Sequence, residues 1–253
     1  MSYVDLEREE LMTLLDAEGK RFTALLRELA PGDETKPCHG LIWNVGDVAT
    51  HVLTVVRRSL SDRRRSGTPA ELAELNALSI QELGANDPQA IADLIDADMN
   101  IMLNRIYPRI GDDRRFPFHA GATISVRPAL AITLGEFMMH GNDIARACDK
   151  AWPINPHIAA LAWRGILEPL AAWLKPGAAD GISDSYLFRL IGEDGTLALQ
   201  FTDNTVLLRP HWQGTADYEI VIDPVELVFV FPYGRRVAGD ELLAQLVERF
   251  QPI

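Results

Sequence analysis

Residues 129–147 read ALAITLGEFMMHGNDIARA and place two ionisable side chains, Glu136 and His140, inside a mostly apolar segment. The apolar periodicity predicts a buried helix, and residues four apart lie on one helix face, about one turn from each other. A buried carboxylate is costly unless a partner neutralises it. The segment has no lysine or arginine close to Glu136, so a metal cation is a candidate partner.

A second predicted helix supplies another histidine. It begins at Asn44 and extends to about Ser61, and His51 shares an apolar face with Val48 and Val55. If this helix faces the first one, His51 can approach the Glu-x-x-x-His pair. Two histidines and one glutamate form the donor set of a catalytic divalent metal site with an open coordination position. The alternatives are a hydrogen-bonded core histidine and a chance pair, and the residues alone leave them open.

The rest of the chain changes character near residue 175, where the segment KPGAADG is a plausible linker. Before it, helices are predicted over about residues 3–29, 44–61, a short element after Pro69, 87–105, 127–147 and 156–174. After it, strands are predicted over about 187–191, 197–201, 206–208 (after a tight turn at Asp203-Asn204) and 218–222, with helices over 224–231 and 240–250. We therefore expect an α+β chain of two domains, a helical bundle over 1–176 and a small α+β domain over 177–253.

Composition narrows the function classes. The chain has 253 residues, 47% of them hydrophobic, and a net charge of −12. It has no long apolar run and no secretory leader pattern, and its two cysteines are too few for a disulfide framework. These features predict a cytoplasmic protein that binds neither nucleic acid nor membrane, because phosphate contacts need clustered cations. Oligomeric state stays open between monomer and homodimer.

One basic cluster stands out in this acidic chain. Arg57 and Arg58 are followed by the run 63–65, which is also arginine. We interpret the cluster as the solvated end of the helix that carries His51, where cations are favourable. A local anion site is the alternative.

Two motifs carry a family resemblance. Trp43, Asp47 and His51 are similar to a pattern of Trp, three residues, Asp, three residues, His, and residues 136–143 are similar to Glu-x-x-x-His-Gly-x-Asp. Both are typical of the mycothiol-dependent maleylpyruvate isomerase family, part of the DinB-like four-helix superfamily. The C-terminal part resembles the sterol-carrier-like domain that accompanies it, so the resemblance covers nearly the whole chain. One departure is Asn142, where the family often has Trp before the motif Asp.

The resemblance implies a site and a chemistry. A divalent metal, usually zinc, would be held by His51, Glu136 and His140, and the thiol mycothiol would place its sulfur at the open metal position. Such a thiolate can add to an electrophilic small molecule and either be eliminated after bond rotation or stay attached. Isomerase and S-transferase activities therefore begin with the same addition of a thiolate to the substrate. Asp143 would orient His140, and Arg235 would bind a substrate carboxylate.

Several alternatives stay open. A His-Glu-His site can also activate water, which would make the protein a metal-dependent hydrolase. A third possibility is a non-catalytic module that binds a small ligand. Arg209, with His211 and Trp212, competes with Arg235 for the substrate. His119 is expected near the pocket mouth and His157 at the surface, and Cys38 is expected to be inert.

Overall fold

The computed structural model describes residues 4–84, 87–202 and 204–251. The helices are α1 (Arg8–Arg27), α2 (Val45–Arg58), α3 (Pro69–Leu83), α4 (Pro88–Ile101), α5 (Val126–Ala147), α6 (Pro156–Ile166), α7 (Pro224–Val230) and α8 (Glu241–Val247). The strands are β1 (Arg115–Pro117), β2 (Thr123–Ser125), β3 (Ser185–Leu190), β4 (Leu197–Thr202), β5 (Thr205–Pro210) and β6 (Tyr218–Ile222). The predicted α+β class is confirmed: a helical region precedes a small region that contains a sheet.

The helical region is built around α5. This helix packs against α1, α2 and α6, and α4 packs against α1 and α2, which completes a four-helix bundle. The predicted cap of α2 is confirmed, because Asn44 Oδ1 accepts from the Asp47 N–H at 2.8 Å and Asp47 Oδ2 accepts from the Asn44 N–H at 3.1 Å. The cap fixes where α2 begins and thereby which of its residues face α5.

Two sequence expectations were wrong in detail, and one element was not predicted. The element after Pro69 is not short: α3 has 15 residues but buries only Ser79, so its apolar period is weak. The helix predicted over 156–174 ends at Ile166, and Pro169, which cannot continue it, precedes a separate turn at Leu170–Trp173. The β1–β2 hairpin was not predicted, since its strands have three residues each.

The C-terminal region forms a four-stranded sheet in the order β5-β4-β3-β6. Strands β3, β4 and β5 are antiparallel neighbours, and β6 returns parallel to β3. The predicted turn between β4 and β5 includes Asp203, which lies outside the described residues. The predicted domain boundary at residue 176 falls between the turn Leu170–Trp173 and β3. Helix α7 then packs on α6, so the chain after the sheet returns to the bundle.

Within the residues that the structure describes, no helix is both long enough and apolar enough to cross a membrane.

His157, expected at the surface, instead bridges three segments. Its side chain is 28% exposed, its Nδ1 lies 2.8 Å from Glu193 Oε2 in the β3–β4 turn, and its Nε2 lies 3.2 Å from Glu10 Oε1 on α1. Carboxylates accept, so both ring nitrogens must donate, which favours the imidazolium. Burial opposes this, but the two glutamates raise the pKa of His157 above its ordinary value of 6.5.

We expect the His157 bridge to make folding stability depend on pH. Because the folded-state pKa is raised, its contribution is fully present below about pH 6.5 and is lost as pH rises through the folded-state value. His157→Gln should therefore reduce the free energy of unfolding more at pH 6 than at pH 9, by under about 1 kcal/mol for a partly exposed pair. Urea unfolding at both pH values measures it. An equal loss at both would contradict a charged bridge.

Candidate metal centre

The three predicted ligand residues come together between α2 and α5. His51 Nε2 and His140 Nε2 each lie 3.3 Å from Glu136 Oε2. One donor atom from each residue lies within 4.8 Å of the other two. His51 and His140 are buried, at 5% and 4% exposure. Two imidazole nitrogens and one carboxylate oxygen thus face a common point.

A chain of contacts supports His140 from behind. Its Nδ1 donates to Asp143 Oδ2 at 3.1 Å, and the same oxygen accepts from Arg235 Nη2 at 3.2 Å. Arg235 also donates through Nη1 to the carbonyl of Tyr233 at 3.1 Å. A carboxylate on the outer nitrogen fixes the histidine tautomer that leaves Nε2 free to bind a metal. His51 differs, because its buried Nδ1 has no hydrogen-bond partner in the described part of the chain.

Tyr233 was missed by sequence reasoning. Its hydroxyl donates to Glu136 Oε1 at 3.4 Å, so it holds the carboxylate oxygen that does not face the histidines. The tyrosine follows α7, 97 residues after Glu136. Only its position two residues before Arg235 hinted at the site.

Burial and the mutual contacts shift the pKa values of these groups. Burial lowers the pKa of His51 to about 4. Burial opposes ionisation of Glu136, but hydrogen bonds from His140 and His51 hold its pKa well below the usual range. Burial also opposes the charge on His140, but Asp143 and Glu136 raise its pKa to about 9. Glu136, whose side chain is 16% exposed, is therefore an ionised and mostly buried carboxylate that needs a positive partner.

The donor set fits a divalent cation. Among the described residues, no lysine or arginine forms an ion pair with Glu136, and its side-chain partners are His51, His140 and Tyr233. A protonated His140 can balance the charge, whereas a bound cation requires both imidazoles to be neutral at the ligating nitrogen. Nitrogen and oxygen donors in a His-Glu-His set suit zinc and leave a position open.

The three donor residues lie in the wall of a cavity of about 280 Å³. Most of its wall is apolar, with contributions from Val55, Ile124 and Ile132. Trp43 adds an indole that packs on the His51 ring at 4.8 Å between centroids. A mostly apolar cavity wall that also carries charged and polar side chains has the form of a small-molecule pocket.

The remaining sequence candidates divide by their place relative to the cavity. His119 and Arg235 line it, as expected. Arg209 donates to Gln200 and His211 pairs with Asp5, and neither lines this cavity. Cys38 is buried, and burial raises the pKa of its thiol to about 12, which fits the inert thiol that was expected.

The basic cluster is only partly the solvated helix end that was expected. Arg63 and Arg64 are exposed, but Arg58 and Arg65 line the cavity. The turn after α2 folds back, so Arg65 donates to the carbonyls of Arg58 and Pro117 instead of facing solvent.

Comparisons with known proteins agree with this description. The family described as mycothiol maleylpyruvate isomerase N-terminal domain matches residues 15–145, just over half of the chain. A crystal structure of the mycothiol-dependent maleylpyruvate isomerase is similar at TM-score 0.53 and 13% identity, covering 92% of each chain. A crystal structure of a mutant of that isomerase, in which alanine replaces a histidine, is similar at TM-score 0.52, with the same identity and coverage. No curated protein matches the chain.

The two structural likenesses establish a shared fold across both regions. The family match spans the residues that form the centre, including His51, Glu136 and His140. On this evidence the chain belongs to the mycothiol maleylpyruvate isomerase N-terminal domain family.

Proposed function

We propose that the protein is a metal-dependent enzyme that uses a low-molecular-weight thiol, mycothiol, for cis–trans isomerisation or S-transfer on an electrophilic small molecule. The observation that carries the proposal is the convergence of His51, Glu136 and His140 on one point in the wall of an apolar cavity. Family membership supports the thiol and the isomerase chemistry. A reduced thiol cosubstrate also suits a cytoplasmic location.

The ligand residues would each have a defined task. His51, Glu136 and His140 would hold the ion, which we expect to be zinc from the donor set. When bound, the ion would lower the pKa of a thiol at its open position. Asp143 would keep the His140 Nδ1 proton in place, and Arg235 would fix Asp143. These contacts support a positioning role for Asp143 and for Arg235.

The covalent bonds that form and break in the reaction would be those of the thiol and the electrophile. The thiolate sulfur would add to a carbon of a conjugated cis double bond, and the electron pair of that bond would move onto the conjugated carbonyl oxygen. After rotation about the resulting single bond, return of this electron pair would expel the thiolate and leave the trans isomer. If the electrophile carries a leaving group, the sulfur displaces it and remains attached. The apolar cavity wall would exclude competing water.

Two measurements test the proposal together. The protein, purified without chelator, should contain about one divalent ion per chain by elemental analysis. Conversion of maleylpyruvate, or conjugation of monochlorobimane, should require added mycothiol. Equal turnover without thiol would indicate a metal-dependent hydrolase instead. Absence of a stoichiometric ion would favour the non-catalytic binding module.

A further inference from the structure

The cavity contains a half-buried arginine that the proposed chemistry does not use. Arg58 lies at the last position of α2, seven residues after His51. Seven residues are close to two helical turns, so the two side chains share a helix face and are separated by about 10 Å along the axis. A molecule in the cavity can therefore contact both ends of this face.

The guanidinium of Arg58 is poorly satisfied. Its Nε is buried and has no hydrogen-bond partner in the described part of the chain. Nη2 makes a long hydrogen bond of 3.3 Å to Ser79 Oγ. Burial lowers the pKa of Arg58 to about 10, so it remains a cation at neutral pH.

No carboxylate among the described residues forms an ion pair with Arg58. Asp62, which stabilises its charge at longer range, is already bound to Arg64 through both oxygens. This contrasts with Arg57, the preceding residue, whose Nε pairs with Asp98 at 3.1 Å. A desolvated cation without a partner costs folding free energy, and this chain has 36 acidic residues from which a partner was available.

The groups around Arg58 also favour an anion. Arg65 adds a second positive charge at the same wall, and its hydrogen bonds to the described residues go to backbone carbonyls. His119 Nδ1 accepts from the Ser66 N–H at 3.1 Å, which leaves the proton of this neutral ring on Nε2. Asn76 of α3 contributes an amide whose buried oxygen has no partner among the described residues, and an amide can turn to present its NH₂ group.

Arg235 is more fully engaged than Arg58. Its Nε also has no hydrogen-bond partner among the described residues, but its two terminal nitrogens bind Asp143 and the Tyr233 carbonyl, and Asp143 pairs with its charge. Arg58 thus has the freer guanidinium of the two, at a site two turns along α2 from the metal-binding histidine.

We propose that Arg58, with Asn76 and His119, forms a carboxylate subsite that selects an anionic electrophile. This deepens the proposed function by naming the residues that recognise the carboxylate of the substrate, and it rests on that function for the position of the reacting carbon. The carboxylate binds at the end of α2, and the electrophilic carbon points towards His51, Glu136 and His140.

The test compares a charged probe with an uncharged one. Binding of maleate and of maleamide, its uncharged diamide, is measured by calorimetry on the metal-loaded protein without thiol. Arg58→Gln should weaken maleate binding by at least about tenfold, the size of a charge-assisted hydrogen bond, and change maleamide binding by less than about twofold. Arg58→Lys should restore part of the loss. Arg57→Gln is the matched control and should leave both affinities unchanged.

A structural role for Arg58 predicts a different pattern. Because Arg58→Gln removes an uncompensated, desolvated charge, we expect its unfolding temperature to be unchanged or higher. A lower unfolding temperature with unchanged maleate affinity would overturn the proposal, as would equal losses for the two probes. If the wild type does not bind maleate while its metal content and thiol-dependent turnover stand, the subsite is wrong and the proposed function survives. If the protein lacks the metal or the thiol dependence but Arg58→Gln still weakens maleate binding, the proposed function is wrong and the carboxylate subsite stands.

Discussion

Glu136→Gln should abolish metal binding and thiol-dependent turnover together. The substitution keeps the size of the side chain but removes the negative charge that faces His51 and His140. An amide is a weak ligand for a divalent ion, and the remaining two imidazoles make an incomplete site. We expect the metal content to fall below about a tenth of an ion per chain and kcat/KM to fall at least about 1000-fold, or ~4 kcal/mol of transition-state stabilisation. Elemental analysis and the isomerisation assay measure both.

Glu18→Gln provides the matched control for this change. Glu18 is a second poorly exposed glutamate of the bundle, 7% exposed on α1 and paired with Arg21 at 3.2 Å. It does not line the cavity. The control should keep its metal and its activity. A Glu136→Gln protein that retains a stoichiometric ion and full turnover would overturn the assignment of the centre.

Gly135→Ala should destabilise the protein through Tyr233. A Cβ at position 135 would lie 2.6 Å from the Tyr233 hydroxyl and 3.0 Å from Ala162 Cβ. Both distances are too short, so the Tyr233 side chain that contacts Glu136 must shift. We expect a loss of about 2 kcal/mol in the free energy of unfolding, a usual cost of overpacking a well-packed core. Thermal or urea unfolding measures it.

Tyr233→Phe identifies the atom responsible for the crowding. In the phenylalanine background the hydroxyl is gone, and the ring carbon is at an ordinary contact distance of 3.6 Å. Gly135→Ala should then cost at least about 1 kcal/mol less than in the wild type, which a double-mutant cycle resolves. Gly19→Ala on α1 is the control, because its Cβ meets the flexible end of Met99 at 3.1 Å. Equal costs in both backgrounds would show that Tyr233 is not pressed against Gly135.

The sequence predicted the fold where local signals were strong. Helices α2 and α4 begin where the sequence predicted, at about residues 44 and 87. The side chains of Asn44 and Asp87 each accept from an N–H of the first turn, and Pro88 has no N–H that needs a partner. Helix α3 was underestimated, since a helix that buries a single residue has no apolar stripe to recognise. The short hairpin β1–β2 was not predicted for a similar reason, because strands of three residues are too short to show alternation of apolar and polar residues.

The centre was predictable because its residues violate their own local pattern. His51, Glu136 and His140 are polar residues on apolar helix faces, which is a conflict visible in the sequence. Tyr233 carries no such conflict, and its approach to Glu136 depends on how the chain returns from the sheet. Arg58 was interpreted as a solvated helix end, because nothing local shows that the segment after α2 folds back over it. Tertiary contacts decide both cases.

The course of the chain after α7 has a consequence for how relatives of this protein diverge. The stretch that the family match covers ends at residue 145, whereas Tyr233 and Arg235 reach Glu136 and Asp143 from far downstream. Two related chains can therefore share the residues His51, Glu136 and His140 and still differ in the groups that contact them. A match over residues 15–145 therefore does not imply that the residues equivalent to Tyr233 and Arg235 are the same. Substrate preference can then differ between proteins with the same motifs.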